Sequence, residues 1–234
     1  MKTLMIDENY ENQRIDKYLK KLLCQAPPQL IYKMLRKKDV KVNGVRVKEN
    51  YILKKGDQVE LFLYEDRFLE LTKPQSIIDL PITFDVLYED DNVLIVNKPA
   101  GLLVHEDIHE DVNTLSNQVL TYLYQKGEYD PNQTLGFTPG PVHRLDRNTS
   151  GIVIFGKTMR ALQDLNEMMK KRHCIDKTYL TICKGYMPSG ELIGYMKKDS
   201  DRSLARMVSP STEGALKMHT IVENIQSNQK YSLL

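Results

Sequence analysis

The stretch GPVHRLDRNTSGIVIFGKT, residues 140 to 158, joins a polar loop to a strongly apolar run. Its part IVIFG is rich in β-branched and aromatic residues, which predicts a strand. His143, Arg144, Asp146 and Arg147 lie directly before that strand. A carboxylate in such a loop can accept hydrogen bonds from backbone amides of the next turn. Alternatively, the carboxylate is the reactive group of a site whose cations keep it ionised and hold a phosphate nearby.

The segments on both sides predict an alternation of strands and few helices, which favours an α+β sheet domain. The predicted elements are a buried strand at 93–96, a helix at 113–126 capped by Asn113 or Thr114, a helix capped by Thr158, and a strand at 177–185. In the last strand, alternation turns Tyr179 away from Leu180 and Ile182. The Gly/Pro-rich residues 127–141 predict a loop.

The overall composition is that of an ordinary globular protein, with 41% apolar and 27% charged residues. No apolar run approaches the roughly 18 residues that span a membrane, and the first residues lack a signal-peptide pattern. We therefore expect a cytoplasmic protein without a membrane partner. The three cysteines are far apart and have no zinc-ligand spacing, so we expect reduced thiols and no bound metal.

Positive charge is concentrated near the start of the chain. Residues 12–60 hold thirteen Lys or Arg against five Asp or Glu, an excess of eight positive charges in a chain of net charge +2. Such a basic head on a mildly acidic body indicates a module that binds a polyanion.

The head has a regular pattern. RIDKYLKKLL and PPQLIYKMLRKKD predict two amphipathic helices, and VKVNGVRV predicts a hairpin with Asn43-Gly44 at its turn. LKKGDQVELFL adds a turn at Gly56-Asp57 and a strand. Residues 61–84 hold two prolines and mixed polarity, and we interpret them as a linker to a second domain at 85–234.

Residues 12–60 resemble the small RNA-binding domain first described in bacterial ribosomal protein S-four. The segments RIDKYL, LIYKMLRKKDVKVNG and LKKGDQV carry this resemblance. It implies a small α/β domain whose second helix and following loop face RNA. The residues expected to contact RNA are Arg14, Lys33, Arg36, Lys37, Lys38, Lys41, Asn43 and Arg46.

The string HRLDRNTSG, residues 143–151, resembles the signature of the RluA/RluD family of RNA pseudouridine synthases. The flanking segments DVLYEDDNVLIVNKPAGLLVH and KTYLTICKG agree with it. The resemblance covers nearly the whole chain. It implies an α+β catalytic domain with a mixed, largely antiparallel sheet, and conversion of uridine to pseudouridine without a cofactor. The basic head favours ribosomal RNA, of the large subunit, over transfer RNA, and we expect a monomer.

The resemblance also implies the roles of individual residues. Asp146 is expected to act at the sugar as nucleophile or base, much as carboxylates act in glycosidases. Arg144 is expected to fill the space left by a flipped uridine, and Tyr179 to stack on the uracil.

One part of the family pattern is not found in these 234 residues. The family continues into a Gly-Arg-Thr-His-Gln-Ile-Arg-like motif whose arginine is expected to pair with the catalytic aspartate. We therefore expect a shortened catalytic domain, with weak or no turnover by this chain alone.

Three other interpretations remain from the residues. His105 and His109, four apart among acids, suggest a metal site. Ser150 with His143 suggests a hydrolase, although the G-x-S-x-G elbow is missing. The basic head alone also fits a non-catalytic RNA-binding or ribosome-assembly protein, which would have no need of the nine-residue signature.

Overall fold

A small four-stranded antiparallel sheet and three helices form the head of the chain. In the computed structural model, which describes residues 1–8, 10–72, 77–107, 112–134, 137–171, 174–199 and 204–234, the sheet has the order β1-β4-β2-β3. The head elements are β1 (Lys2–Met5), α1 (Ile15–Leu22), α2 (Pro28–Lys37), β2 (Val40–Val42), β3 (Val45–Arg46), β4 (Gln58–Leu61) and α3 (Glu65–Thr72).

The two predicted head helices and the hairpin are confirmed. Apolar residues at helical spacing face one common core, among them Ile15 and Leu19 of α1 and Ile31 of α2. At the hairpin, Asn43 and Gly44 have φ values of 51° and 76°, the backbone that a two-residue turn of type I′ requires.

The segment 61–84 differs from the predicted linker. Residues Glu65–Thr72 form the helix α3, and its Phe68 and Leu71 are buried in the core of the head. The sequence EDRFLELT places these two apolar residues three apart on one helical face, a pattern that the prolines further along obscured. The core of the head therefore extends beyond residue 60.

The strands of the stretch 140–158 belong to a second sheet. Its antiparallel order is β5-β6-β8-β7, and the helices α4 and α5 accompany it. The elements are β5 (Asp85–Glu89), β6 (Val93–Lys98), α4 (Leu115–Gln125), β7 (Gly140–Pro141), β8 (Gly151–Gly156) and α5 (Met159–Lys170). The predicted caps are present, since Thr114 and Thr158 accept hydrogen bonds from the backbone N–H groups of Asn117 and Ala161.

The pairing of strands β6 and β8 determines the position of the signature residues 143–151. They pair in antiparallel register from Val93 with Gly156 to Lys98 with Gly151. The end of β6 is therefore beside the start of β8, which directly follows the polar loop. Gly156 allows α5 to pack closely, because a Cβ at that position would lie 2.7 Å from the Cα of Leu162.

The chain divides into two compact units, Met1–Ile175 and Asp176–Leu234. The second unit has two three-stranded sheets, β11-β10-β12 and β13-β14-β9. Its strands are β9 (Ile182–Lys184), β10 (Gly190–Asp199), β11 (Leu204–Met207), β12 (Leu216–Val222), β13 (Gln226–Ser227) and β14 (Tyr231–Leu233).

The strand predicted at 177–185 is shorter than expected. Only Ile182–Lys184 forms a strand, and Leu180 and Ile182 are 76% and 70% exposed. Within the described ranges, all apolar side chains that are fully withdrawn from solvent belong to the first unit. Without a buried face on its own unit, the apolar alternation of this segment does not extend the strand. No helix in the described part of the chain is long and apolar enough to cross a membrane.

Candidate active site

Successive side chains of the polar loop before β8 point alternately to the core and to solvent. Leu145 is buried in the core beside β6 and β8, whereas Arg144 and Asp146 on either side of it are exposed. The backbone then turns, with the N–H of Thr149 donating to the carbonyl of Asp146 at 3.1 Å. Burial of Leu145 thus anchors the loop and presents the two charged side chains outward.

The carboxylate of Asp146 has no internal partner among the residues that the structure describes: no side chain or backbone N–H donates a hydrogen bond to it. The turn is closed by the backbone carbonyl of Asp146 and not by its side chain. A carboxylate that served the turn would accept a backbone hydrogen bond. The geometry therefore favours the second interpretation of Asp146, as a group available for chemistry.

A buried lysine lies beneath this loop. Lys98, at the end of β6, is fully buried, and its Nζ donates to the carbonyl oxygens of Pro99 at 3.0 Å, Leu102 at 2.7 Å and Arg147 at 3.1 Å. Burial lowers the pKa of Lys98, and the negative charge of Asp146 opposes this shift. Sequence analysis assigned no role to Lys98, although a lysine ending an apolar run directly before Pro-Ala-Gly was a usable signal.

Two glycines shape the backbone around Lys98. Gly101 has φ +90° and donates its N–H to the same Arg147 carbonyl at 2.8 Å. Gly151, the last residue of the signature, has φ +126° where β8 begins. Residues with a Cβ rarely adopt these angles, so both turns depend on glycine. Together with Lys98 they fix the loop against the end of β6.

The segment before α4 forms the other side of the loop. The N–H of Ser116 donates to the carbonyl of Val104 at 3.1 Å, and Asp107 lies 3.8 Å from the guanidinium of Arg147. Burial, and then the positive charge of Arg144, lower the pKa of His105. His105 and Arg144 therefore interact electrostatically at this site.

The metal and hydrolase interpretations gain no support. His105 is not on a helix, and His109 lies outside the described residues. The described part of the chain contains no group of three His, Cys, Asp or Glu that could hold a metal ion. The Nε2 of His143 accepts a hydrogen bond from the backbone N–H of Ile154 at 3.3 Å, and Ser150 is exposed.

Tyr179 belongs to the second unit. Its ring is 55% exposed, and the residue precedes β9 instead of lying within a strand. The predicted alternation does not distinguish Tyr179 from its neighbours, since Leu180 and Ile182 are also exposed. Its expected role in stacking on uracil now depends on the family resemblance alone.

On the head, the cations of α2 are exposed. Lys33, Arg36 and Lys37 make no ion pair with any described residue, and Lys38 ends the helix with φ 72°. The Nη2 of Arg46 donates to the carbonyl of Arg36 at 2.8 Å. This arrangement leaves several positive charges on one surface, where phosphates can compensate them.

The other predicted contacts of the head are partly engaged within the protein. Arg14 pairs with buried Asp16, its Nε lying 3.0 Å from Oδ1 and its Nη2 3.1 Å from Oδ2. The ammonium of Lys41 lies 5.0 Å from the centre of the Phe62 ring. Both polar atoms of the Asn43 side chain form hydrogen bonds with Asp57 and Gln58 at the start of β4, which is a structural role.

Comparisons with known proteins identify the family of this chain. The model of the RNA pseudouridylate synthase family matches residues 92–234, and the model of the S4 domain matches residues 13–59. The chain is 36% identical over 184 residues to an uncharacterized RNA pseudouridine synthase of Mycoplasma capricolum subsp. capricolum, covering 78% of this chain and 59% of that protein.

Two further relatives cover almost the whole chain. An uncharacterized RNA pseudouridine synthase of Mycoplasma genitalium is 31% identical over 94% of this chain and 68% of its own length. Ribosomal large subunit pseudouridine synthase C of Escherichia coli K12 is 31% identical over 92% of this chain and 65% of its own length. The chain thus spans between about three fifths and two thirds of these relatives. It belongs to the RNA pseudouridylate synthase family and begins with an S4 domain.

Proposed function

We propose that this protein is an RNA pseudouridine synthase that modifies uridine in large-subunit ribosomal RNA. The observation that carries the proposal is the exposed Asp146 carboxylate, which has no partner in the described structure although its loop is fixed by Lys98 and Leu145. The ribosomal substrate is supported by the name of the relative in E. coli and by the basic surface of the head.

Asp146 acts at the ribose of the target uridine. The reaction breaks the bond between C1′ and N1, turns the uracil, and joins C1′ to C5. N1 gains a proton and C5 loses its hydrogen, so the product is an isomer of the substrate. A carboxylate can form a covalent bond to an anomeric carbon, as in retaining glycosidases, or it can act as a base that removes a proton from the sugar. Both roles require an ionised Asp146 open to substrate.

Arg144 and Tyr179 assist access to the base. A uridine within a helix must leave the stack, which costs roughly a few kcal/mol. Arg144, exposed two residues before Asp146, is suited to fill the vacated space and to contact a phosphate. For Tyr179 we retain the role that the family resemblance implies, stacking on the uracil.

The head holds the RNA through its phosphates. Lys33, Arg36, Lys37 and Lys38 follow one another at the end of α2, and Lys41, Arg46 and Arg14 add charge from neighbouring elements. Contacts to phosphate give affinity with little sequence preference. The choice of uridine therefore comes from RNA shape and from the site around Asp146.

Release of tritium tests the proposal, because joining C1′ to C5 expels the hydrogen of C5. The chain, in excess, is incubated with unmodified large-subunit ribosomal RNA transcript made from uridine labelled with tritium at C5. We expect tritium to be released into water from this transcript, and not from a transfer RNA transcript of equal specific activity. These single-turnover conditions also detect slow reaction. Binding of the ribosomal transcript without any release of tritium would contradict the proposal for this chain, and would favour either a non-catalytic RNA-binding protein or an inactive shortened synthase.

A further inference from the structure

His105 is the feature at this site that the proposed chemistry leaves without a role. It lies on the segment between the glycine turn at Gly101 and the start of α4, and its ring is near Arg144. The side chain is exposed, so its outer edge is open to a ligand.

The hydrogen bonds around Ser116 determine which ring nitrogen of His105 carries the proton. The Oγ of Ser116 donates its hydrogen to the carbonyl oxygen of Val104 at 2.7 Å. The same Oγ lies 3.2 Å from the Nδ1 of His105. Because the hydroxyl has only one hydrogen, Nδ1 must be the donor in this second contact. A neutral His105 then carries its proton on Nδ1 and has a lone pair on Nε2.

The surrounding charges favour this neutral form. Burial and the facing charge of Arg144 both lower the pKa of His105. Ser116 is in the first turn of α4, which contains no acidic residue, so the positive end of the helix also opposes a cation there. Of the adjacent acids, Glu106 accepts a hydrogen bond from Asn117 at 2.8 Å and Asp107 lies 3.8 Å from Arg147.

We infer that His105 is a substrate-binding residue of the synthase site, whose Nε2 accepts a hydrogen bond from the RNA beside Arg144. Among the described residues, no protein group donates to Nε2. RNA offers two kinds of donor to such an acceptor, the ribose 2′-hydroxyl and the N–H groups of the bases. Arg144 supplies only donors and suits phosphate, whereas Nε2 of His105 is an acceptor. The two side chains can therefore bind different groups of the same RNA. The inference rests on the proposed function, which brings RNA to this loop.

Two isosteric variants separate RNA contact from a merely structural role. In His105→Asn the side-chain amide can replace Nδ1 at Ser116 but does not reach the position of Nε2. In His105→Gln the amide reaches the position of Nε2. One lost hydrogen bond of about 0.5–1.5 kcal/mol corresponds to a roughly 2- to 12-fold change in affinity. We expect His105→Asn to weaken binding of the ribosomal transcript by about this factor and His105→Gln to restore affinity to within about twofold.

Fluorescence anisotropy with the large-subunit ribosomal RNA transcript measures these affinities, and urea unfolding monitors the fold. Equal affinity of wild type and His105→Asn overturns the inference. Loss of affinity in both variants together with lowered unfolding midpoints assigns His105 to structure and overturns it as well. Since affinity is measured independently of tritium release, failure of the proposed function and failure of this inference give different results.

A transcript containing 2′-fluorouridine identifies the donor. It removes the 2′-hydroxyl hydrogen from every uridine. If a uridine 2′-hydroxyl is the donor, the affinity difference between wild type and His105→Asn disappears on this transcript. If the difference persists, the donor is a base N–H or the hydroxyl of another nucleotide.

The protonation of the His105 ring in the free protein provides an independent check. We expect nitrogen NMR of the free chain at neutral pH to show His105 protonated on Nδ1, and Ser116→Ala to reduce this preference. A proton on Nε2 in the wild-type protein would overturn the inference, because no acceptor would face the RNA.

Discussion

The ammonium of Lys98 donates a hydrogen bond to the carbonyl oxygen of Arg147, 49 residues later in the chain. The bond joins the end of β6 to the loop that carries Asp146. All three hydrogens of the ammonium are directed to backbone carbonyls, those of Pro99, Leu102 and Arg147. An ammonium with three such partners has no hydrogen left for substrate, so Lys98 is a structural group of the site.

The substitution Lys98→Met should therefore lower the stability of the protein but largely preserve tritium release. The variant leaves the carbonyls of Pro99 and Leu102 without this donor and the Arg147 carbonyl with the N–H of Gly101 alone, and we expect a loss of about 1–3 kcal/mol in the free energy of unfolding by urea. Lys55→Met is the control, because its ammonium pairs with Glu8 on an exposed surface and its loss should change stability much less. Full loss of tritium release by Lys98→Met that is still folded would instead indicate a direct role in the reaction.

Glu89 should make the stability of the first unit dependent on pH. Burial raises the pKa of Glu89, but hydrogen bonds from Lys126, Lys157 and Tyr122 outweigh it and hold the pKa at about 2, against 4.5 for an ordinary glutamate. Because the pKa is lower in the folded state, the stabilisation is complete above pH 4.5 and is lost as the pH falls toward 2.

Urea unfolding at several pH values tests this dependence. We expect Glu89→Gln to cost roughly 1–2 kcal/mol at pH 7, after allowing for solvent screening, and the difference from wild type to shrink as the pH falls below about 4.5. Glu65→Gln, which removes an exposed partner of Lys2, should have a much smaller effect at all pH values. A Glu89→Gln difference that does not change with pH would show that lost packing, and not charge, causes the effect.

The unpaired cations of α2 should determine the salt dependence of RNA binding. Each phosphate contact contributes about 0.7–0.9 to the slope of log K against log salt concentration. We expect the triple variant Lys33→Gln, Arg36→Gln, Lys37→Gln to weaken binding and to reduce that slope by about 2–3.

Three other cations of the head provide a matched control. Lys2, Lys55 and Arg67 are already paired with Glu65, Glu8 and Glu70. Their triple replacement by Gln removes the same charge, but we expect a smaller change in slope because these cations are neutralised locally. Equal effects of the two triple variants would mean that only total charge matters and that the α2 surface is not the RNA contact.

Asn43 should contribute to the stability of the head and not to RNA affinity. Its Nδ2 donates to Oδ1 of Asp57 at 2.8 Å, its Oδ1 accepts from the N–H of Gln58 at 2.8 Å, and its φ is 51°. Asn43→Ala should cost about 1–3 kcal/mol in urea unfolding, and Asn43→Gly somewhat less because glycine tolerates this φ. RNA affinity of the folded Asn43→Gly variant should equal that of wild type; a loss of affinity in this folded variant would restore Asn43 as an RNA contact.

Local pattern predicted most elements of the first unit. The helices α1, α2 and α4, the Asn43-Gly44 turn and strand β8 all follow from periodicity, caps and turn residues that act within a few positions. Helix α3 was missed because prolines further along suggested a linker, and its helical character depends on packing of Phe68 and Leu71 into a core formed by distant residues. The strand at 177–185 was predicted too long because alternation does not show whether a core is available to bury one face.

Only part of the site could be predicted from the sequence. Asp146 and Arg144 belong to one contiguous signature, so the family resemblance was sufficient to select them. Lys98 and His105 approach the loop from segments about forty residues earlier, and such contacts arise from the pairing of β6 with β8 and from the position of α4. Spacing along the chain does not reveal contacts that tertiary packing creates.

The most direct test of the account compares tritium release by wild type and by Asp146→Asn, which keeps the size of the side chain and removes its charge. Both proteins are used in excess over the large-subunit ribosomal RNA transcript, and binding is measured in parallel. We expect release by wild type, no release by Asp146→Asn, and RNA affinities equal within about threefold, since this carboxylate is not a phosphate contact. Equal tritium release by both proteins would show that Asp146 is not the catalytic group.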